Sequence, residues 1–477
     1  MILSHIDPKS VMEIFETICS MPHGSGNTKI ISDWCVDFAK TRGLEHYQDE
    51  LNNVIIIKPA TPGYEESSPL ILQGHIDMVC QKEPGLDKDM SKKGLDLAVE
   101  GDTIRAIGTT LGGDDGIAVA MALAVLDADD IPHPRLEVVL TVDEETGMYG
   151  AAGIDLSMLR GRSLLNIDSE EEGIFTVSCA GGARANCSLP IKRENVSGQL
   201  VNLEICGLQG GHSGVEIDKG RANASILMGR VLSALEPGSF RVLSIAGGSA
   251  DNAIPFRCTA GLIGDSGAII AAAAKSEVIF KNEYRNADSG VKIITEVKDS
   301  GDYFALDSES TQKLCDALVL VPNGIRAMSS DIPGLVESSL NLGILKLDED
   351  ALRLSFAIRS SVGSRKEMIK KKVCTAIRVL GGNVEITGDY PAWEYKADSP
   401  LRDRMVEVYT RQYGEAPQVL AIHAGLECGL LSEKLPGLDA VSFGPNMKDI
   451  HTTKETMSIS SVQRVWKFLL EVLKESK

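Results

Sequence analysis

The chain has 477 residues, 43% of them hydrophobic and 24% charged, with 67 acidic side chains against 48 basic ones and a formal net charge of −19. That length exceeds what one hydrophobic core usually supports, so two or more domains are expected in an otherwise ordinary globular composition. The acidic balance repels nucleic acid and anionic membranes, no basic run offsets it, and neither partner is expected.

The opening MILSHIDPKS lacks the apolar core of a signal peptide. Residues 8–20 and 28–41 have the periodicity of amphipathic helices, followed by strand-like NVIIIK (53–58) and PLILQG (69–74). A helix is expected from Asp115 to Leu126, then strands LEVVLTV (136–142) and SLLNID (163–168). This alternation predicts an α/β sheet with helices packed on it.

The texture changes between about Ala183 and about Gly388. That stretch holds strand-like VNLEICGL (201–208), a helix near 221–235, alternating LRLSFAIRS (352–360) and a helix near 364–380. Its apolar run GAIIAAAA (267–274) is too short to span a bilayer. Beyond it, a helix at 400–413, strands VLAIH (419–423) and DAVSF (439–443) and a helix at 459–475 restore the earlier pattern. The expected architecture is α/β: a catalytic domain formed by 1–182 and 389–477, with an α+β domain, 183–388, inserted between its halves. The ten cysteines are scattered with no C-x-x-C pair, which predicts reduced thiols and a cytoplasmic location.

Candidate metal ligands occur in five phrases: GHIDM (74–78), LGGDDG (111–116), VDEETG (142–147), NIDSE (166–170) and IHTTKE (450–455). Histidines and carboxylates form the mixed donor set that zinc accepts. If one carboxylate bridges, five side chains can hold two ions, the arrangement that activates water and polarises a carbonyl together. Most of these residues sit where an apolar strand gives way to polar sequence, and α/β folds build sites at strand ends.

His75 and Asp77 are two apart on an extended segment and share a face, so Asp77 can accept the second N–H of the imidazole and orient it. Taken alone, H-x-D is as readily a surface turn. Asp114 and Asp115 stand at a helix start, where one can cap while the other binds. Glu144 and Glu145 project differently, so one can bind metal while the other serves as general base; a run of this kind is more often a solvated acidic turn. Asp168 ends a strand, whereas a lone loop histidine such as His451 carries weight only within the set. Cys80, close behind the first phrase, is assigned no role.

Together, LQGHIDMVCQK (72–82), GTTLGGDDGIAVAMALA (108–124), TVDEETGMYGA (141–151), LNIDSEEEG (165–173), GGHSGVEIDKGRANA (210–224), DNAIPF (251–256) and IHAGLECGLL (422–431) resemble the M20 family of di-zinc metallopeptidases, in its dipeptidase subgroup. The resemblance runs nearly end to end. It implies a di-zinc exopeptidase-type catalytic domain with His75 and Asp168 on one ion, Glu145 and His451 on the other, and Asp114 bridging. It implies two Zn2+ per subunit, with Co2+ or Mn2+ as substitutes, Asp77 as the orienter of His75 and Glu144 as the general base. The inserted domain would be a lid that closes over the site and forms a homodimer. His212, Asn252 and Arg359 of the lid, with Gly425 of the catalytic domain, would bind substrate.

The implied substrates are unblocked dipeptides, those ending in histidine included. The alternative is an M20-type aminoacylase or carboxypeptidase acting on N-acyl amino acids, and the discriminator is the free α-amino group.

Overall fold

Strands Leu70–His75 and Leu136–Thr141 are buried at every position. Strands hidden on both faces belong at the centre of a parallel, doubly covered sheet. A computed structural model, which describes residues 2–477, places them side by side and parallel, with His75 opposite Thr141. They lie within an eight-stranded sheet ordered Glu45–Gln48, Val54–Lys58, Leu136–Thr141, Leu70–His75, Ser163–Asn166, Asp439–Ser442, Ile174–Cys179 and Gln418–Ile422. Its three central pairings are parallel and the pairings towards Glu45–Gln48 are antiparallel. The fold is therefore α/β.

Helix Gly113–Asp127 follows the LGG phrase and is buried from Gly113 to Leu126. Its first turn departs from expectation. Asp114 and Asp115 have non-helical backbone angles, so the regular helix starts only after them. Both carboxylates are thereby turned away from the N-cap role that their position suggests.

The chain divides into two compact units. One comprises Met1–Ser178, Tyr395–Ala421 and Leu426–Lys477; the other comprises Cys179–Glu394 and Ile422–Gly425. The short segment Ile422–Gly425 was expected with residues 389–477 but clusters with the second unit. The reason is local: the Ala180 N–H donates to the carbonyls of Ile422 (3.2 Å) and Ala424 (3.0 Å), and His423 Nε2 lies 2.7 Å from Ser339 Oγ.

The second unit is built on a nine-stranded antiparallel sheet. Its order is Lys292–Leu306, Arg193–Cys206, Cys258–Gly264, Phe240–Gly247, Val336–Leu347, Ala351–Ser360, Gly181–Pro190 and Asn383–Tyr390, with Gly324–Met328 also paired to Val336–Leu347. Alternate residues Leu352, Leu354, Phe356 and Ile358 join Leu340 and Leu342 in its core, with Leu227, Phe280, Leu314 and Val373 from four helices. The period-2 pattern seen in LRLSFAIRS thus sorts one face towards the helices and leaves Arg353, Ser355, Ala357 and Arg359 on the other. The run 267–274 lies on helix Ser266–Glu283, and no helix among the described residues is long and apolar enough to cross a membrane.

Asn223 ties one of these helices to the sheet. Its side chain accepts from the N–H groups of Ser225 and Ile226, capping helix Ala224–Ser233, and donates to Leu342 O (2.9 Å) and Asn341 Oδ1 (3.1 Å). Asn223→Ala should cost about 2 kcal/mol by removing the cap and stranding a buried carbonyl. The thermal transition of this unit, followed by circular dichroism, should then fall by roughly 4–8 °C.

Candidate metal centre

His75 ends the buried strand Leu70–His75, and its position requires Gly74 beside it. A Cβ on Gly74 would lie 2.5 Å from Asp115 Oδ2 and 2.8 Å from the Ala118 side chain. The close approach lets Asp115 Oδ2 accept the His75 backbone N–H at 3.2 Å.

The His75 imidazole is almost fully buried. Its Nδ1 lies 3.0 Å from the Asp77 carbonyl and 3.5 Å from the Asp77 carboxylate. Its Nε2 points the other way, 3.2 Å from Asp114 Oδ1 and 3.6 Å from Asp168 Oδ1. The second Asp114 oxygen, Oδ2, is 3.0 Å from His451 Nε2, which in turn stands 2.9 Å from Glu145 Oε1. Asp114 therefore lies between two imidazoles, one oxygen towards each. The structure brings His75, Asp114, Glu145, Asp168 and His451 together.

These donors fit a cation. Atoms of His75, Asp114 and Glu145 lie within 4.8 Å of one another, as do those of His75, Asp115 and Asp168. His451 Nε2 has at most one hydrogen to share between two carboxylates, and Glu145 Oε1 is buried without a hydrogen bond. Two imidazoles and three carboxylates in this arrangement match the preferences of zinc, with manganese and cobalt accepted by the same chemistry.

The electrostatics point the same way. Burial would lower the pKa of His75, but Asp114, Asp168 and Asp77 outweigh it and raise the imidazole well above its usual value. Asp114 and Glu145 raise His451 to about 10. Burial opposes ionisation of Asp114, yet the two histidines hold it well below the usual carboxylate range. Burial lifts Asp168 to about 7. Asp115 is raised well above its usual value, first by burial and then by the neighbouring Asp168 charge.

Glu144 and Asp77 stand beside this cluster. The Asp77 carboxylate accepts from Ser25 Oγ (2.8 Å) and from the N–H groups of Glu144 (3.1 Å) and Glu145 (3.4 Å). It thus holds the DEETG turn as well as facing His75. Burial first, then the charges of Asp168, Glu427 and Glu145, raise the Glu144 carboxyl well above its usual value despite the pull of His75.

Two supporting acids escape a motif reading. Glu455 is buried and accepts from Leu111 N (2.7 Å), Gly112 N (3.2 Å) and Gly113 N (2.9 Å), which fixes the loop presenting Asp114. Glu427 is buried below the strand ends, where Oε2 accepts from Gln73 Nε2 (2.7 Å) and Thr141 Oγ1 (2.6 Å). Burial pushes its pKa up to about 7. Both lie inside phrases already singled out, IHTTKE and HAGLECG, and a buried acid there was the only available signal.

The remaining candidates lie in the second unit. His212 Nδ1 accepts from Gly214 N (3.2 Å) and Val215 N (3.3 Å), so a neutral ring carries its proton on Nε2. Ser213 N donates to the Asn252 carbonyl at 2.8 Å, placing that turn beside His212. Burial and then the Arg359 charge lower the His212 pKa. Gly425 packs against Tyr390, whose hydroxyl accepts from Arg359 Nη1 at 3.3 Å.

Metal analysis of the purified protein should give about two divalent ions per chain. Asp114→Asn should bring the content below about one, whereas Asp115→Asn, which mimics a protonated acid, should retain both. The carboxylates beside His75 and His451 raise both imidazole pKa values, so a metal bound by these rings would displace protons and bind more tightly as pH rises. A competition assay between pH 6 and 8 should find binding tighter by up to about a hundredfold per pH unit, one factor of ten for each displaced proton.

The family model for Peptidase family M20/M25/M40 matches residues 71–475. Cytosol non-specific dipeptidase of Escherichia coli strain K12 is 36% identical over 479 residues, covering 99% of each chain. The crystal structure of aminoacylhistidine dipeptidase from Vibrio alginolyticus matches with a TM-score of 0.94 at 35% identity, over 99% of this chain and 98% of that one. Aminopeptidase PepT from Bacillus cereus, at 16% identity and a TM-score of 0.59 over 99% of both chains, shares the fold. With its acidic cluster threaded through the matched region, this chain belongs to peptidase family M20/M25/M40 and is a hydrolase.

Proposed function

We propose that this chain hydrolyses the peptide bond of unblocked dipeptides, those ending in histidine included. The observation that carries this reading is the division of the Asp114 carboxylate between two imidazoles, one oxygen to each, with Asp168 on the His75 side and Glu145 on the His451 side. Such a division suits a pair of ions: His75 and Asp168 would hold one, His451 and Glu145 the other, and Asp114 would serve both. When bound, two zinc ions supply Lewis acidity that polarises the scissile carbonyl and lowers the pKa of the attacking water. The names of two relatives that match over nearly their whole length support the dipeptidase assignment.

Glu144 is the general base. Its carboxylate accepts a proton from the attacking water and returns it to the nitrogen of the departing amine. Burial and the neighbouring carboxylates raise its pKa, which makes the carboxylate a stronger base. Asp77 is a positioning residue. It faces His75 Nδ1 and grips the backbone of Glu144 and Glu145, so the base and one ligand are oriented by the same carboxylate.

Arg359 receives the C-terminal carboxylate of the substrate, for which a planar guanidinium is suited. His212, with a free Nε2–H, donates to the oxyanion or the peptide carbonyl, and Asn252 and Gly425 hold the peptide backbone. The same reading carries a homodimer formed through the second unit, which light scattering of the purified protein tests.

Assays should use a panel of free dipeptides, one ending in histidine, beside N-acetyl amino acids. Chelation should abolish dipeptide cleavage and zinc add-back restore it. Glu144→Gln should lower kcat by about 10²–10⁴ while keeping the metal content. Turnover of the N-acetylated compounds alone would replace the dipeptidase reading with an aminoacylase one.

A further inference from the structure

The strand register of the second unit lays four residues in one row. Ser339 is paired with Arg359, Arg359 with Gly182, and Gly182 with Tyr390. Directly paired residues on antiparallel strands point to the same face. Here it is the face away from the helices, since the flanking Leu340 and Ile358 belong to the core.

Gly182 contributes no side chain, and the Tyr390 ring occupies its place: a Cβ there would sit 2.6 Å from the ring. Tyr390 Oη thereby reaches Arg359 Nη1 at 3.3 Å. On the opposite side of Arg359, Ser339 Oγ is 2.7 Å from His423 Nε2. His423 is 7% exposed, and its segment is pinned to this unit by the Ala180 N–H.

The row leaves specific atoms unanswered. Arg359 Nε is buried without a hydrogen bond, and so is His423 Nδ1. Among the described residues Arg359 has no acidic partner; it donates to the Tyr390 phenol and is paired across the strands with Ser339, which contacts the His423 imidazole. Burial, and then the Arg359 charge, lower the His423 pKa to about 3, so the ring is neutral. The Ser339 Oγ–His423 Nε2 contact runs in either direction according to the tautomer; with the hydroxyl donating, the neutral ring carries its hydrogen on Nδ1. In that tautomer the Arg359 Nε–H and the His423 Nδ1–H are two donors without acceptors, which an anion that accepts and does not donate would answer.

We propose that His423 is a specificity-determining residue, whose Nδ1–H donates to the substrate carboxylate seated on Arg359. This rests on the peptidase reading above and on Arg359 as the carboxylate receptor. Ser339 is a positioning residue that holds the imidazole tautomer, and Tyr390 bounds the other side of the guanidinium. A carboxylate answers both orphaned donors. A C-terminal amide would present its own N–H groups to them and leave donors facing donors, so the pocket selects free acids.

The experiment compares a free dipeptide with its C-terminal amide in the wild type and in His423→Leu, His423→Asn and Ser339→Ala. In His423→Leu, the ratio of kcat/KM for acid over amide should fall about tenfold or more, with the loss on KM rather than kcat. His423→Asn, whose amide nitrogen reproduces the reach of Nδ1, should recover most of that ratio. Equal losses on acid and amide, or no gain from Asn over Leu, would overturn the proposal. If His423→Leu does not fold, Ser339→Ala decides: a several-fold drop in the ratio supports the assignment, and an unchanged ratio rejects it. Failure of the underlying peptidase reading would appear in the wild type, as no dipeptide turnover or no preference for the acid, and would take this proposal with it.

Discussion

Carboxylates forced together in a buried place repel one another and lose hydration, and the first unit is organised around that constraint. Asp114, Asp115, Glu145 and Asp168 converge with only two imidazoles to offset them. In the metal-free chain the conflict is met by protons. The pKa values of both histidines and of Asp115 are raised, His451 to about 10, and Asp168 is lifted to about 7. A divalent cation would answer the same conflict without protons, so metal and proton would compete for this cluster.

The surrounding scaffold spends its polar groups on presentation. Asp77 grips the backbone of the turn that carries Glu144 and Glu145, and Glu455 gathers three successive N–H groups of the loop before Asp114. Glu427 ties Gln73 and Thr141 beneath neighbouring strand ends. Each of these acids acts on backbone or on strand ends rather than on the centre of the cluster. Such support limits the movement of donor atoms whose useful geometry tolerates only small displacements. Two backbone positions show the strain involved: Asp143 and His451 are non-glycine residues with positive φ, at 54° and 61°.

The second unit presents the opposite electrostatic situation. Where the first gathers excess acceptors, this one leaves the buried Arg359 Nε and His423 Nδ1 without hydrogen-bond partners, on the side of the sheet away from its helices. The helix-covered face carries the packing, so the other face is free to hold polar chemistry. Register sets the spacing: adjacent strands place Ser339, Arg359, Gly182 and Tyr390 in line, and the missing side chain at Gly182 lets the ring lean across.

Much of this was legible in the chain itself. Period-2 alternation in LRLSFAIRS told which residues face a core, and the apolar runs before His75, Glu144 and Asp168 marked strand ends, because local periodicity encodes which face is buried. The helix after LGG was readable, but not that Asp114 and Asp115 stand outside its regular turns. The attachment of Ile422–Gly425 to the second unit was not readable either, because backbone hydrogen bonds to Ala180 decide it. Sequence by itself determined the kinds of donor, their order and the elements that carry them. Only the tertiary structure decided that one Asp114 oxygen meets each imidazole, that Glu455 holds a loop 342 residues away, and that His423 meets Ser339. The physical reason is that local sequence specifies period and face, whereas contacts between distant segments depend on strand register and packing that no single segment contains.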